Sequence, residues 1–557
     1  MTELAIWEKR LIREWRALQQ SPGKEFQGSR GSHKASRVSP APAADRLKKL
    51  PGTYKFDNAQ ATDRRKNTPA ADRLSPAELD RAADRLSPAE LDRAADRLSP
   101  AELDRAADRL SPAELDRAAA DLLALQRGLT GERRLIASAY MDEGRRLGAY
   151  LLFYWFTSYT QTRGMLDMAL RALGAQNSDH KPEGITAPGT ARSGLFYEDA
   201  NTTFRILDLG SGPAPCSIAA ADWFSGMNKT IAKNIEITAC DQSILSLSAA
   251  ERLADGAGYR LNRVAPWRAG TDPIPEGPFH CIVIGHLLNE LWKDASDRVE
   301  QRAALIDALG TQLAAGGIIL ILEPALLSTG RDLLALRDWL LGHRWRVLAP
   351  CFTQKACPAL TQPNQTCHSD FTWKVPRTVQ ELERRTGLDK DLVKTTALVL
   401  SRPGTAESGT KDRVHDSGQP AEIAEAAGPD TTLGTGGTSG PAKVTGHAQS
   451  AEATQSTDTA QTAGPAKVTG SENSVGVINQ RGPYRVVSEP MLNKAGRTRL
   501  ILCGDEGRIP FSAKLGEDLP AEKVFKTLRR SDAITLSGAE QRESGLALGK
   551  FTQIFLI

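Results

Sequence analysis

The chain has 557 residues, enough for two or three domains, and a formal net charge of +4, which neither demands nor excludes a nucleic-acid partner. No apolar run reaches the roughly 18 residues that a membrane helix needs, and the N-terminus lacks a signal peptide's apolar core, so no membrane span is expected. Placed in a reducing cytoplasm, its seven cysteines point to metal or thiol chemistry ahead of disulfides.

Residues 1–125 read as a largely disordered extension, with Ser, Pro, Lys and Arg dominating 21–70. From Ala71 to Ala118 the unit Ala-Asp-Arg-Leu-Ser-Pro-Ala-Glu-Leu-Asp-Arg-Ala occurs four times with a period of 12. Each Ser-Pro-Ala-Glu, at Ser75, Ser87, Ser99 and Ser111, is a helix start: serine caps, proline suits the first turn, and the glutamate can close a capping box. The unit is far shorter than the roughly 20–50 residues of solenoid repeats, which favours a duplicated helical tether over a docking array. Residues 126–203 read as a helical region ending in a loop. Its aromatic run (Tyr140, Tyr150, Phe153, Tyr154, Trp155, Phe156, Tyr159) suits helix packing better than a surface for stacking RNA bases.

Residues 204–350 alternate strand-like and helix-like stretches. The strand-like runs are Phe204–Leu209, Ile235–Cys240, Cys281–Ile284 and Ile318–Leu322. Alternation of this kind predicts an α/β domain, a parallel sheet with helices on both faces. A cysteine-rich segment, 351–402, follows. Residues 403–480 are low-complexity Gly, Thr, Ala and Ser, including Gly-Pro-Ala-Lys-Val-Thr-Gly twice, and read as a disordered insert. Residues 481–557 read as a small β-rich C-terminal domain with one basic helix, on which Lys523, Lys526, Arg529 and Arg530 could face phosphates or merely solvent.

The run Asp208-Leu-Gly-Ser-Gly212 lies between a buried strand and a helix. Its glycines permit a tight turn and close backbone approach to a ligand. A dinucleotide fingerprint needs a third glycine three residues after Gly212, where this chain has Pro215. The acidic Asp208 suits a ligand bearing positive charge, as S-adenosylmethionine does. Asp241, ending the next strand, is expected to accept hydrogen bonds from ribose hydroxyls. Asp208, Gly210, Gly212, Asp241 and, after the next strand, Asn289 are therefore the candidate cofactor-binding residues. His286 is as readily structural as a base. No catalytic residue is named by the sequence.

Cys351, Cys357 and Cys367 crowd one short stretch, and Cys503 lies far downstream on an apolar run. Zinc sites usually show closely spaced cysteine pairs, which are missing here. The irregular spacing, and Pro358 directly after Cys357, suit an iron–sulfur cluster better, with zinc as the alternative and His368 a further candidate ligand. Cys216, Cys240 and Cys281 fall on predicted sheet elements and read as small buried hydrophobes.

These motifs together resemble the methyltransferase-like assembly factors of the mitochondrial small ribosomal subunit and their bacterial relatives. The matching pieces are Leu-Asp-Leu-Gly-Ser-Gly-Pro at Leu207, Leu-Asn-Glu-Leu at Leu288, Leu-Glu-Pro at Leu322, and Arg-Asp-Trp-Leu at Arg337. They continue with Ala-Pro-Cys at Ala349, Cys-Pro at Cys357, Cys-His at Cys367, Pro-Arg at Pro376, Arg485 to Pro490, and Leu502-Cys503. The resemblance implies a Rossmann-like S-adenosylmethionine-dependent methyltransferase fold. It also implies a [4Fe–4S] cluster on Cys351, Cys357, Cys367 and Cys503, and binding to the small ribosomal subunit and its rRNA, with neither DNA nor membrane as a partner. Two departures stand out: Phe352-Thr353 replaces the family's Pro-His after the first cysteine, and Ser369-Asp370 precede the aromatic that the family has sooner after Cys-His.

Overall fold

All of the strand-like runs read from residues 204–350 become neighbours in one sheet. The computed structural model describes residues 3–20, 109–131, 140–178, 203–228, 231–402 and 481–557. Its first sheet contains β1 (Phe204–Leu209), β2 (Ile235–Cys240), β3 (Arg260–Val264), β4 (Phe279–Gly285), β5 (Leu313–Glu323), β6 (Arg346–Ala349), β7 (Ser369–Thr372) and β8 (Leu392–Ser401). The order is β3-β2-β1-β4-β5-β8-β6, with β7 paired to β8. Strands β1 to β5 run parallel, and β8 runs antiparallel to β5, β6 and β7.

The parallel sheet expected of residues 204–350 is found in β1 to β5, and β8, from beyond that range, makes the whole sheet mixed. Strand β8 closes the cysteine-rich segment and slots between β5 and β6, with most of its side chains buried. A fully buried strand shows no alternation to set it apart from its flanks, and its direction depends on where the chain has been.

Side-chain alternation splits the core in two. Phe204 and Ile206 of β1 join one cluster, and Leu207 and Leu209 join the other. The first cluster packs under α1 (Glu3–Gln20), α2 (Pro112–Gln126), α3 (Gly144–Ser178), α4 (Pro215–Met227) and α5 (Ile244–Ala257). The second packs under α6 (Arg298–Gly310) and α7 (Leu327–Gly342). A further helix, α8 (Arg377–Thr386), places Val379 and Leu382 in the first cluster.

Two of these helices lie within the stretch read as a largely disordered extension. Helix α1 buries Trp7, Leu11, Ile12 and Trp15. A lone helix of this length is marginal in water, so burial at ~1.5–3 kcal/mol per large apolar side chain is what holds it. Asp222 ties it to the domain by accepting from Trp7 Nε1 at 2.9 Å, Tyr159 Oη at 2.6 Å and Tyr259 Oη at 2.6 Å. Helix α2 starts in the last of the four repeats. Ser111 caps it, and the Glu114 side chain returns the hydrogen bond, the capping box expected from Ser-Pro-Ala-Glu. The other three copies and the insert 403–480 lie outside the described residues. The aromatic run of α3 is core, as expected: Phe153, Trp155, Phe156 and Tyr159 are buried.

A second sheet is built from the C-terminal residues, in the order β14-β15-β12-β11-β9-β13-β16 with β10 on β11. Its members are β9 (Arg481–Val486), β10 (Met491–Leu492), β11 (Thr498–Gly504), β12 (Gly507–Ala513), β13 (Ala533–Ser537), β14 (Glu540–Arg542), β15 (Gly545–Ala547) and β16 (Gln553–Leu556). One short helix, α9 (Glu522–Thr527), covers its core of Tyr484, Leu500, Leu502, Phe511, Phe525 and Ile534.

Candidate functional site

Strand β1 has its sequence neighbour β2 on one side and β4 on the other, so the strand order reverses there. In open α/β sheets the crevice beyond the carboxyl ends at such a point takes ligands. Here that edge carries Asp208 to Gly212 after β1, Asp241 after β2, His286 to Asn289 after β4, and Glu323 ending β5.

The loop after β1 needs its glycines. Gly210 and Gly212 adopt φ of +66° and +51°, and a Cβ on Gly210 would stand 2.9 Å from Leu287 Cδ1. Pro215, where a dinucleotide fold would carry its third glycine, is the first residue of α4.

Asp208 is turned inward. It is 1% exposed, and its Oδ2 accepts from Ser217 Oγ at 2.6 Å and Ser217 N at 3.3 Å, bracing the first turn of α4. Burial pushes its carboxyl up to about 7, against the pull of the Ser217 hydrogen bonds. The role expected for it, a negative charge facing the ligand, does not suit that position. Asp241 is half-buried, and its two oxygens accept from Gly212 N and Ser243 N, each at 2.8 Å. It shapes the glycine loop directly.

Asn289 leans on Glu323: Nδ2 donates to Oε2 at 2.7 Å and the backbone N to Oε1 at 3.3 Å. Glu323 is 1% exposed, and burial pushes its carboxyl up to about 8. His286 stands in the left-handed region at φ 58°, with Nε2 3.1 Å from Gln161 Oε1. Burial pushes its imidazole down to about 4, which suits a structural residue and not a base at neutral pH.

The short helical turn Tyr140–Asp142 closes on this loop from the helical region. Asp142 Oδ1 accepts from Ser243 Oγ at 2.7 Å, and Trp155 Nε1 donates to Pro213 O at 3.2 Å. Sequence reasoning missed this cover. Asp142 and Ser243 lie 101 residues apart, and no local pattern announces the pairing.

The second site lies where the two sheets meet the cysteine segment. Cys351, Cys357 and Cys367 follow β6, Cys503 stands on β11, and all four line one pocket. Burial pushes the Cys357 thiol up to about 11 and the Cys503 thiol up to about 12. Cys367 is held below its ordinary value: burial raises it, and the Arg485, Arg508 and Arg530 guanidiniums more than reverse that. Among the described residues no three His, Cys, Asp or Glu side chains group as ligands of one metal ion. The thiols surround a space instead of meeting at a point. His368 pairs with Asp370 at 3.2 Å. Cys216, Cys240 and Cys281 are buried away in the first domain, as expected, although Cys216 stands in the first turn of α4 and not on a strand.

The basic helix does not form the expected face. Helix α9 is six residues long, so Arg529 and Arg530 lie beyond it. Lys526 pairs with Glu522 at 2.6 Å, and Arg530 turns inward toward Asp370 at 3.4 Å and the Val487 carbonyl.

Residues 199–390 match the family model Rsm22, described as mitochondrial small ribosomal subunit Rsm22. That stretch of the chain is similar to the Rsm22 family. It spans the glycine loop, the β4 and β5 ends and three of the cavity cysteines, and stops before β8 and Cys503. The motif resemblance and this match name the same small-subunit family. No curated protein matches the chain.

Among solved structures, a methyltransferase from Pyrococcus furiosus is 13% identical, covers 40% of this chain and 87% of its own, and has a TM-score of 0.23. A putative class I S-adenosylmethionine-dependent methyltransferase from Listeria monocytogenes is 14% identical, covering 54% and 89%, with a TM-score of 0.25. A putative rRNA-methylase from Clostridium thermocellum is 10% identical, covering 36% and 87%, with a TM-score of 0.23. At such scores these likenesses add no weight to the strand order itself.

Proposed function

We propose that this chain is a methyltransferase-like protein of the small ribosomal subunit, acting on its rRNA in assembly or translation. It would hold S-adenosylmethionine at the glycine loop and a [4Fe–4S] cluster at Cys351, Cys357, Cys367 and Cys503. The observation that carries the reading is the Rsm22-family match over residues 199–390.

The donor chemistry supports the cluster. Four thiols from two sheets line one cavity, and three arginines (Arg337, Arg485 and Arg508) line it with them. Iron–sulfur clusters take cysteine thiolates, one per iron, so their ligands ring the core instead of converging on one ion. Arg337 and Arg485 are 0% and 2% exposed, and each keeps a buried Nε with no hydrogen-bond partner among the described residues. Sulfur acceptors in the cavity would fit that surplus of donors.

At the crevice, Gly210 and Gly212 allow close backbone approach, and Asp241 and Asn289 stand at the strand ends around them. S-adenosylmethionine, when bound, supplies an electrophilic methyl group. This chain's residues would orient it and exclude water beneath the Tyr140–Asp142 turn. No crevice side chain is assigned as general base, because burial leaves the His286 imidazole too weakly basic and Asp208 is turned away.

The test is anaerobic purification of the full chain and of Cys351→Ser and Cys503→Ser, with iron, sulfide and zinc analysis and co-sedimentation with small ribosomal subunits. About four irons and four sulfides per chain are expected, lost in both variants, with the wild type travelling with small subunits. One zinc without sulfide would replace the cluster by a structural metal. Absence from the small-subunit fractions would overturn the ribosomal reading.

A further inference from the structure

Three guanidiniums surround the cysteine cavity, and they are engaged differently. Arg337 donates to Thr353 O at 2.6 Å and Lys355 O at 2.9 Å and pairs with Asp338 at 2.5 Å. Arg508 donates to Gln365 Oε1 at 2.7 Å and Thr366 O at 3.0 Å. Arg485, on β9, donates from Nη1 to Cys367 Sγ at 3.2 Å, and from Nη2 to His368 O at 2.7 Å and Ser369 Oγ at 2.8 Å.

Arg485 is 2% exposed, and among the described residues no carboxylate lies within ion-pair distance of it. A buried guanidinium without an anion is costly. The groups on hand to supply negative charge are the cavity sulfurs, one of which it already touches. Hydrogen bonds to sulfur and nearby charge set the potentials of iron–sulfur centres.

We infer that Arg485 is the positioning residue that sets the reduction potential of the cluster. This rests on the cluster reading above. One-electron reduction adds one negative charge to a core that four thiolates already make anionic. The guanidinium favours the more negative state through its charge and its N–H to the Cys367 sulfur, and so raises the potential. The electron comes from dithionite in the experiment below.

The experiment is a reductive titration of anaerobically purified full-length chain, followed by absorbance and electron paramagnetic resonance, for the wild type, Arg485→Gln and Arg485→Lys. Iron and sulfide analysis accompanies each sample. Arg485→Gln is expected to keep its iron and sulfide and to reduce at a more negative potential, with Arg485→Lys in between because it retains the charge and loses the fork. A fully loaded Arg485→Gln with the wild-type potential overturns the inference. Should Arg485→Gln purify without a cluster, Arg485→Lys decides alone: a more negative potential supports the assignment, and an unchanged one overturns it. A wild type without iron and sulfide sinks the cluster reading itself, before any variant is compared.

Discussion

Asp208 shows how burial turns a motif residue into a pH-dependent one. Its carboxyl is pushed by burial from 3.8 to about 7 in the folded chain. Between those values the unfolded chain has released a proton that the folded chain keeps, so stability falls as pH rises through the window and levels off above it. Asp208→Asn removes the titration and leaves an amide oxygen to accept from Ser217. Thermal melts should show the variant level with the wild type near about pH 4 and more stable near about pH 8. A wild type that gains on the variant with rising pH would mean that Asp208 is an ionised, stabilising carboxylate. The position of Asp208 at a strand end was legible in the sequence. Its inward turn was not, because that depends on Ser217 presenting both its N–H and its hydroxyl from the first turn of α4.

At the scale of elements, α1 is the clearest case of structure decided at a distance. Its Trp15 is 1% exposed and seats against α3 at Gly148, where an added Cβ would lie 2.7 Å from Trp15 Cδ1. Trp15→Ala should cost ~3–5 kcal/mol, the range for a large aromatic removed from a core. Urea unfolding measures it, and a loss below about 1 kcal/mol would mean that α1 contributes little to the fold. The partners of α1 lie far along the chain: Trp7 meets Asp222 across 215 residues, and Arg16 meets Glu114 across 98. A low-complexity stretch follows the helix, so its neighbourhood in sequence spoke for an accessory segment. By contrast, α2 declared its own start, since a capping box is written within four consecutive residues.

For the whole molecule, the C-terminal sheet is joined to the rest by contacts that cross residues 403–480. Arg485 and Arg508 grip the cysteine segment, Lys355 Nζ donates to Asp505 O at 3.2 Å, and Asp370 N donates to Ser531 Oγ at 2.8 Å. Charge-assisted hydrogen bonds with buried members are screened weakly by salt. A protease site placed within 403–480 should therefore yield two pieces that still co-elute on size exclusion at moderate salt after cleavage. Separation at low salt would show that the covalent link is what holds them. Three cavity cysteines were visible as a group in the sequence, since they fall within one short stretch. The fourth stands on β11 in another sheet, and the family resemblance anticipated its membership.

By itself the sequence determined the alternating heart of the domain, from Phe204 to Leu322, because buried parallel strands and their helices leave local signatures of composition and period. It also determined the glycine loop and the capping box, whose backbone demands are met by neighbouring residues. Tertiary structure alone decided the antiparallel β8, the docking of α1, the cover of Tyr140–Asp142 over the loop, and the inward turns of Asp208 and Arg530. Each of these depends on a partner brought close by chain topology, and residue type within a short window carries no record of that partner.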